Sequence, residues 1–565
     1  MKQPGKESNP GPHTRTAALL RSLYGERVGE QAALDVSESI ARHSAALKAL
    51  PGGGAPCERD TLLITYADQV REDGIAPLRT LASFCETHLA GVVSGIHILP
   101  FYPWSSDDGF SVKDYFAVEP GYGTWEDLAA LREQFDLMFD AVFNHMSAQG
   151  DWFQHFLRDE REFRDFFVTV EGHPDLSQVV RPRALPLVTE FQTVAGPKRV
   201  WTTFSADQVD LNVRNPRVLL ALLEALLFYV AHGARFIRLD AIAYLWKEIG
   251  TPCIHLPQTH AVIQLMRAVL DEVAPHIQLI TETNVPHADN ISYFGDGSNE
   301  AQLVYNFALP PLVLHSLQSG NAEKLTRWAQ SLTLPSDRVT FFNFLASHDG
   351  IGLNPARGIL SEAEIDALVA RTLEHGGFFS CKHMPDGSRL PYEMNINYLD
   401  ALSNPAAGES VELAGRKFLT AQAILLSLRG VPGIYFHSLF GSRGNRAAAE
   451  ASGIVRRINR EKLDRARLEA ELADERSLRA HVFKGYRELL RARREHPALS
   501  PTASQRVLGL DARVFAVLRE STDGSERVLC LHNVKGQPVR VESREAGFAA
   551  CPLEPFETKW LTGSR

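Results

Sequence analysis

Cysteine is scarce: six residues in 565 (Cys57, Cys85, Cys253, Cys381, Cys530 and Cys551), no two of them spaced as a CxxC pair. That scatter argues against a disulfide framework and against a thiolate zinc site, and it fits reduced thiols in the cytoplasm. A basic excess is missing too. The 59 Lys and Arg against 68 Asp and Glu leave a formal charge of -9, so nothing marks the chain for nucleic acid. No apolar run is long and clean enough to span a bilayer, so no membrane partner is expected. The longest stretch, VLLALLEALLFYVAHG (218–233), is interrupted by Glu224 and His232 and reads as a core-facing helix. The first residues, MKQPGKESNPGPHTRT, lack the apolar segment of a secretory signal.

What is present is an ordinary globular composition, 44% hydrophobic and 22% charged. Residues 1–15 are rich in Pro, Gly, Ser and charge and are expected to be disordered. Helices are expected over 16–50, before GGGAP (52–56) breaks the pattern, giving a disordered tail and helical extension over 1–57. From there short apolar runs alternate with helical patterns. The runs are LLITYA (61–66), GIHILPF (95–101), LMFDAVFNH (137–145), FIRLDA (236–241), IQLITET (277–283), VTFFNFLASHD (339–349) and GIYF (433–436), with LVYNFAL (303–309) a weaker one. Helical patterns such as TWEDLAALREQF (124–135) and THAVIQLMRAVLDEVA (259–274) separate them. Strands alternating with helices imply a parallel sheet, and about eight units imply an α/β fold, a (β/α)₈ TIM barrel. The barrel is placed at 58–495, with inserted subdomains at about 146–210 and 350–430, whose lengths exceed simple loops. Over 496–565, RVFAVLRE, ERVLCLHNV and PVRVES alternate as antiparallel strands do, predicting a small C-terminal β domain.

The charged residues inside the apolar runs carry the chemistry. In ARFIRLDAIAY (234–244), Arg238 and Asp240 stand two apart and therefore share one face of a buried strand. A buried charge is costly unless paired or used. Asp140, Asn144 and His145 close the third run, Glu282 the fifth, and His348 and Asp349 the seventh. Each alone has an ordinary structural reading, as a strand hydrogen-bonder, a buried ion pair or a loop residue. Together they fall at the C-terminal ends of consecutive strands, where a barrel of this kind places its active site. Carboxylates without a metal-ligand pattern suggest glycosyl transfer, which needs a nucleophile or base, an acid, and stabilisation of an oxocarbenium-like transition state. Asp240 beside Arg238 suits an ionised nucleophile, because the cation should lower its pKa. Glu282 suits the general acid, with its pKa raised. No metal and no cofactor is expected.

DAVFNH (140–145), FIRLDAIAY (236–244), ITET (280–283) and ASHDG (346–350) resemble the four signature regions of the α-amylase superfamily, glycoside hydrolase family 13. LITYAD (63–68), GIHILPFYP (95–103), NHMS (144–147), RPR (181–183), ADQVDLN (206–212) and HDGIG (348–352) resemble motifs of its sucrose phosphorylase subfamily. The resemblance implies a retaining double displacement through a β-glucosyl-enzyme, with Asp240 as nucleophile, Glu282 as acid/base and Asp349 as transition-state stabiliser. It implies that Arg238 orients the nucleophile and that His145 and His348 contact the donor glucose. Asp107, with Asp108 as its rival, would grip the far hydroxyls of that sugar. Phe110 and Phe204 would wall it, with Gln208 nearby. Arg183 would bind phosphate through paired N–H bonds, with help from the Tyr244 hydroxyl.

The loops HDGIGLNPARGIL (348–360) and PDGSRLPYEMNINYLDAL (385–402) depart from sucrose phosphorylases and resemble those of glucosylglycerate phosphorylases in the same subfamily. Glu393 stands where sucrose phosphorylases usually carry glutamine. The substrates implied are a small glucoside and inorganic phosphate. Anionic glycerate calls for a cation, and Arg389, Arg357, Arg456 and Arg460 are the candidates. Fructose, fructose 6-phosphate and glycerol are the alternative acceptors, and hydrolysis or loss of catalysis are the competing outcomes. Oligomeric state has no sequence signal.

Overall fold

The computed structural model describes residues 12–48, 50, 52–182, 185–383, 389–543 and 547–563. Eight parallel strands close a barrel: β1 (Leu62–Thr65), β2 (Gly95–Ile98), β3 (Asp136–Ala141), β4 (Ala234–Leu239), β5 (Gln278–Thr281), β6 (Leu303–Tyr305), β7 (Thr340–Asn343) and β8 (Val431–Tyr435). Each pairs with its neighbours in chain order, and β8 closes on β1 with Leu62 opposite Gly433. Their side chains are buried on both faces, inward into the barrel and outward under the helices. That explains why they read as continuous apolar runs rather than alternating ones. The run 303–309, the faintest signal in the sequence, supplies a full barrel strand over its first three residues.

Local chemistry sets the surrounding helices. Asn215 caps the helix Pro216–Ala231 by accepting from the Arg217 N–H at 3.1 Å, and Pro216 occupies its first turn. At its end Gly233 turns the chain into β4 with φ +97°, a conformation that other residues adopt with strain. The helix Trp125–Arg132 opens on a capping box between Thr124 and Asp127.

Two inserts rise from the C-terminal side of the barrel. After β3 come the hairpin Val188–Thr193/Gly196–Trp201 and the antiparallel pair His145–Ser147/Gln208–Asp210. After β7 comes a three-stranded sheet in which Arg389–Asn395 lies between Ile351–Gly352 and Phe378–His383. The helix Val411–Ser427 then leads into β8. The C-terminal domain is an antiparallel sheet of Ser504–Asp511, Val514–Glu520, Arg527–Asn533 and Thr558–Gly563, with the pair Val539–Ser543/Phe548–Leu553 beside it. Among the described residues no helix is long and apolar enough to cross a membrane.

The expectation of a disordered tail over 1–15 falls on residues outside those described as far as Gly11. Pro12 to Arg15 are helical, a correction: they open the helix Pro12–Tyr24, and Arg15 is held by Asp271 at 2.7 Å. That helix and its successor, Glu26–Lys48, pack on the barrel's outer helices. Glu224, which breaks the apolar run of the sequence, takes bonds from Ser39, Arg42 and His43 of the second helix. It reads as the anchor of the extension. Glu224→Ala strands three donors and should cost about 1–3 kcal/mol of local stability. Limited proteolysis should then cut within residues 12–48 sooner than in the wild type, with the barrel itself still resistant; an unchanged digestion pattern would contradict this role.

Candidate active site

The site is built on the ends of β3, β4, β5 and β7. Arg238, on β4 and 2% exposed, extends its guanidinium to three carboxylates. Nη1 bonds Asp140 and, at 2.8 Å, Asp240, while Nη2 lies 3.8 Å from Glu282. Asp140, fully buried, also meets His97 Nε2 at 2.8 Å. The ring of Phe110 and that of Tyr305 face the guanidinium at 5.7 and 5.4 Å. Immediately after Asp240, Ala241 adopts φ 47° in the left-handed region, and its N–H donates to Glu282 Oε2 at 3.0 Å. Backbone strain here fixes the turn after Asp240 to the Glu282 carboxylate.

Burial dominates the titration of this pair. It pushes Asp240 up to about 8, against the opposing pull of Arg238 and with the help of the Glu282 charge, and it raises Glu282 as well. The sequence expectation of a lowered Asp240 is corrected: Arg238 does pull its pKa down, but burial outweighs that pull, and the neighbouring carboxylates Glu282, Asp140 and Asp349 add to the rise. Asp349 goes the other way. Burial pushes its pKa up, but Arg456, His348 and Arg460 outweigh it and hold the carboxyl well below the usual range. His145 and His348 are driven down by burial to about 4 and about 3, so both imidazoles are neutral at neutral pH.

A cavity of about 410 Å³ opens beside these groups and is lined by Asp240, Glu282, Asp349 and both histidines. Phe110 stacks on His348 with ring centres 4.7 Å apart, and Phe204 lies between His145 and Tyr244 at 5.1 and 5.7 Å. Gln208 Nε2 and His145 Nε2 both reach the Phe110 carbonyl, at 3.1 and 2.9 Å. Behind His145, the buried Lys247 ammonium bonds Asn144 Oδ1 at 2.6 Å and Asp210 at 2.5 Å, fixing the base of the loop. Asp107 lines the cavity; Asp108 turns away to Arg460 at 2.8 Å and Arg457 at 3.1 Å. Both aspartates have positive φ, 52° and 49°, in a loop that Arg460 clamps.

Of the residues assigned to the acceptor, Arg456 lines the cavity but is committed to Asp349 at 2.7 Å and to Glu393 at 3.0 Å. Glu393 is buried and accepts the Gly350 N–H at 2.8 Å, so it serves the loop rather than the cavity. Arg389 stands exposed at the start of its strand, outside the cavity lining. Arg183, assigned to phosphate, lies outside the described residues. Residues that the sequence reading missed also line the cavity: Lys382, Tyr392, Asn284 and His255. Asn284 and His255 follow the signature regions ITET and FIRLDAIAY, while Lys382 and Tyr392 lie on strands of the second insert and carry no such signal.

A family profile described as the alpha amylase catalytic domain matches residues 90–350. A glucosylglycerate phosphorylase from Allomeiothermus silvanus is 51% identical over 97% of this chain and 99% of that protein. One from Escherichia coli is 50% identical over 83% of this chain and 84% of its own length. The solved structure of a sucrose 6F-phosphate phosphorylase from Thermoanaerobacter thermosaccharolyticum superposes with a TM-score of 0.74 at 24% identity, covering 88% of this chain and 98% of that one, which is a likeness of fold.

The shared guanidinium makes two stability predictions. Asp140→Ala leaves the Arg238 charge buried with one partner fewer and should cost about 3–5 kcal/mol. Asp240 should behave oppositely. Burial raises its pKa together with that of Glu282, so the pair keeps a proton that the unfolded chain gives up at ~4, and the penalty for that retained proton is absent below ~4 and grows as pH rises to about 8. Asp240→Asn should therefore match or exceed the wild type in stability, by a margin that widens over that interval. Denaturant unfolding of both proteins at about pH 5 and about pH 8 checks the sign, and a margin over the wild type that narrowed or reversed on going up in pH would contradict it.

Proposed function

The chain belongs to the glucosylglycerate phosphorylase family of the α-amylase superfamily, and on that premise we propose that it cleaves 2-O-α-D-glucosyl-D-glycerate with inorganic phosphate, giving α-D-glucose 1-phosphate and D-glycerate. The observation that carries the reading is the Arg238–Asp240–Glu282 constellation on adjacent strand ends, facing a cavity that also contains cations. Asp240 attacks the anomeric carbon of the glucosyl unit. The bond from that carbon to the glycerate oxygen breaks, and Glu282 donates its proton to the leaving oxygen. The product of this half is a β-glucosyl ester on Asp240. A phosphate oxygen then attacks the same carbon, the ester bond breaks, and Glu282 takes the phosphate proton. Two inversions give net retention.

The electrostatics support this division of labour. With both pKa values raised, the pair retains a proton near neutrality. Arg238 bonds Asp240 at 2.8 Å and stands 3.8 Å from Glu282, so the anion is favoured on Asp240 and the proton on Glu282. Asp349, kept ionised by Arg456 and Arg460, offers fixed negative charge to an oxocarbenium-like transition state. Neutral His145 and His348 suit hydrogen bonds to sugar hydroxyls, Asp107 the hydroxyls beyond them, and Phe110 and Phe204 the walls. Phosphate is assigned to Arg183 and Tyr244. The six unpaired thiols support a cytoplasmic location.

The test is release of α-glucose 1-phosphate in phosphate buffer from glucosylglycerate, sucrose and glucosylglycerol at equal concentration. Release chiefly from glucosylglycerate is expected; release chiefly from sucrose would overturn the acceptor and leave the chemistry standing. Asp240→Asn should abolish turnover while the protein stays folded, and near-normal rates in that variant would refute the nucleophile. The profile of kcat/KM against pH should show both limbs displaced upward from ordinary carboxylate values, as burial raises both groups.

A further inference from the structure

Four Lys and Arg side chains among the described residues line the cavity: Arg181, Arg357, Lys382 and Arg456. They differ in what already neutralises them. Arg456 is sandwiched between Asp349 and Glu393. Arg181 is exposed and bonded to the Leu185 carbonyl. Lys382, on the strand Phe378–His383, has no carboxylate within ion-pair distance among the described residues, and its ammonium is pushed below its usual pKa by burial and then by Arg357. Arg357 is fixed rather than free. Its Nη2 donates to the Pro391 carbonyl at 2.8 Å and its Nη1 reaches Glu362, an exposed residue, while its Nε is buried without an acceptor.

Two cations thus line the wall formed by the second insert close enough to repel, with one carboxylate between them, the exposed Glu362 on Arg357. Next to them the cavity holds two polar atoms of the opposite kind. Oδ1 of Asn354 and Oδ1 of Asn284 are buried with no donor, on residues that line the same space. Buried donors and acceptors left unpaired cost stability unless a ligand completes them. Two cationic donors beside two amide acceptors match a small hydroxy acid: its carboxylate on the cations, its hydroxyls on the amides.

We propose that Lys382 and Arg357 bind the carboxylate of the acceptor acid and set the enzyme's preference for a charged acceptor over its neutral counterpart. The proposal rests on the functional reading above and gives it a specificity determinant. Arg389 and Arg456 do not serve this purpose: the first is outside the cavity, and the second is spent on two carboxylates. The same pair accounts for the second insert's place in the catalytic cavity, since Lys382 and Arg357 both come from residues after β7.

The test runs the reaction backwards, from α-glucose 1-phosphate, with D-glycerate and with glycerol as acceptors. The readout is the ratio of their kcat/KM values. Lys382→Met should lower kcat/KM for D-glycerate about 10- to 100-fold, the loss expected for a charge-assisted hydrogen bond in a partly buried site. Glycerol should be affected far less, so the ratio collapses. Lys382→Arg should recover part of the glycerate preference, and Arg357→Lys should lower it without abolishing glycerol transfer. Equal losses with both acceptors would mean that Lys382 is only structural and would overturn the proposal, as would an unchanged ratio. A wild type that transfers glucose to glycerol or fructose but not to glycerate would instead refute the functional reading, and the carboxylate site with it.

Discussion

One guanidinium serves three carboxylates. Arg238 is buried on β4, and the charges of Asp140, Asp240 and Glu282 all depend on it. A site with one positive and three potential negative charges in a low dielectric does not ionise fully, so it keeps a proton. In the proposed mechanism that retained proton separates the roles of the two raised carboxylates, the one closer to Arg238 acting as the anion and the farther one as the acid. Asp140 is the price of holding Arg238 still, and His97 in turn holds Asp140. The barrel wall, not a loop, supplies the rigidity, which is why this network lies on strands while the substrate-facing groups lie just beyond their ends.

Charge is ordered along the cavity. At the end lined by Asp107 and Asp349 these carboxylates are balanced by Arg460 and Arg456, and the histidines are neutral. Toward the second insert the balance reverses: Arg357 has the exposed Glu362, and Lys382 has no carboxylate within ion-pair distance among the described residues. A neutral glucosyl unit and an anionic partner would sit across this gradient in one orientation. In the proposed reaction one anion replaces another at the same carbon, and a positive region there would favour both. A neutral water molecule would gain no such attraction.

Much of the frame was legible because its signals are local. Seven strands and a weaker eighth were readable from apolar runs, and all eight are barrel strands; 303–309 was faint because only Leu303–Tyr305 pair. The residues at strand ends were legible because a barrel fixes where strand ends converge. What sequence did not determine was long-range. Nothing in FIRLD reveals how completely Asp240 is buried or that Glu282, Asp140 and Asp349 stand near it, so the direction of its shift was misjudged. Arginines in the insert looked equivalent until their partners were known: Arg456 meets two carboxylates, Arg389 meets solvent, and Lys382 drew no notice because a lone lysine on an insert strand has no pattern. Residues 12–15 looked too polar to order, and an ion pair with a barrel helix 256 positions away decides otherwise.

The central claim is that Asp240 is the group that takes the glucosyl unit. The most direct measurement is mass spectrometry of the peptide containing residues 234–244 after the Glu282→Gln variant has reacted with α-glucosyl fluoride, a donor whose leaving group needs no acid. A hexosyl adduct on Asp240, discharged when phosphate is added to the stalled enzyme, is the predicted result. An adduct on another residue, or steady turnover of the donor with no adduct and no covalent stage, would contradict the account.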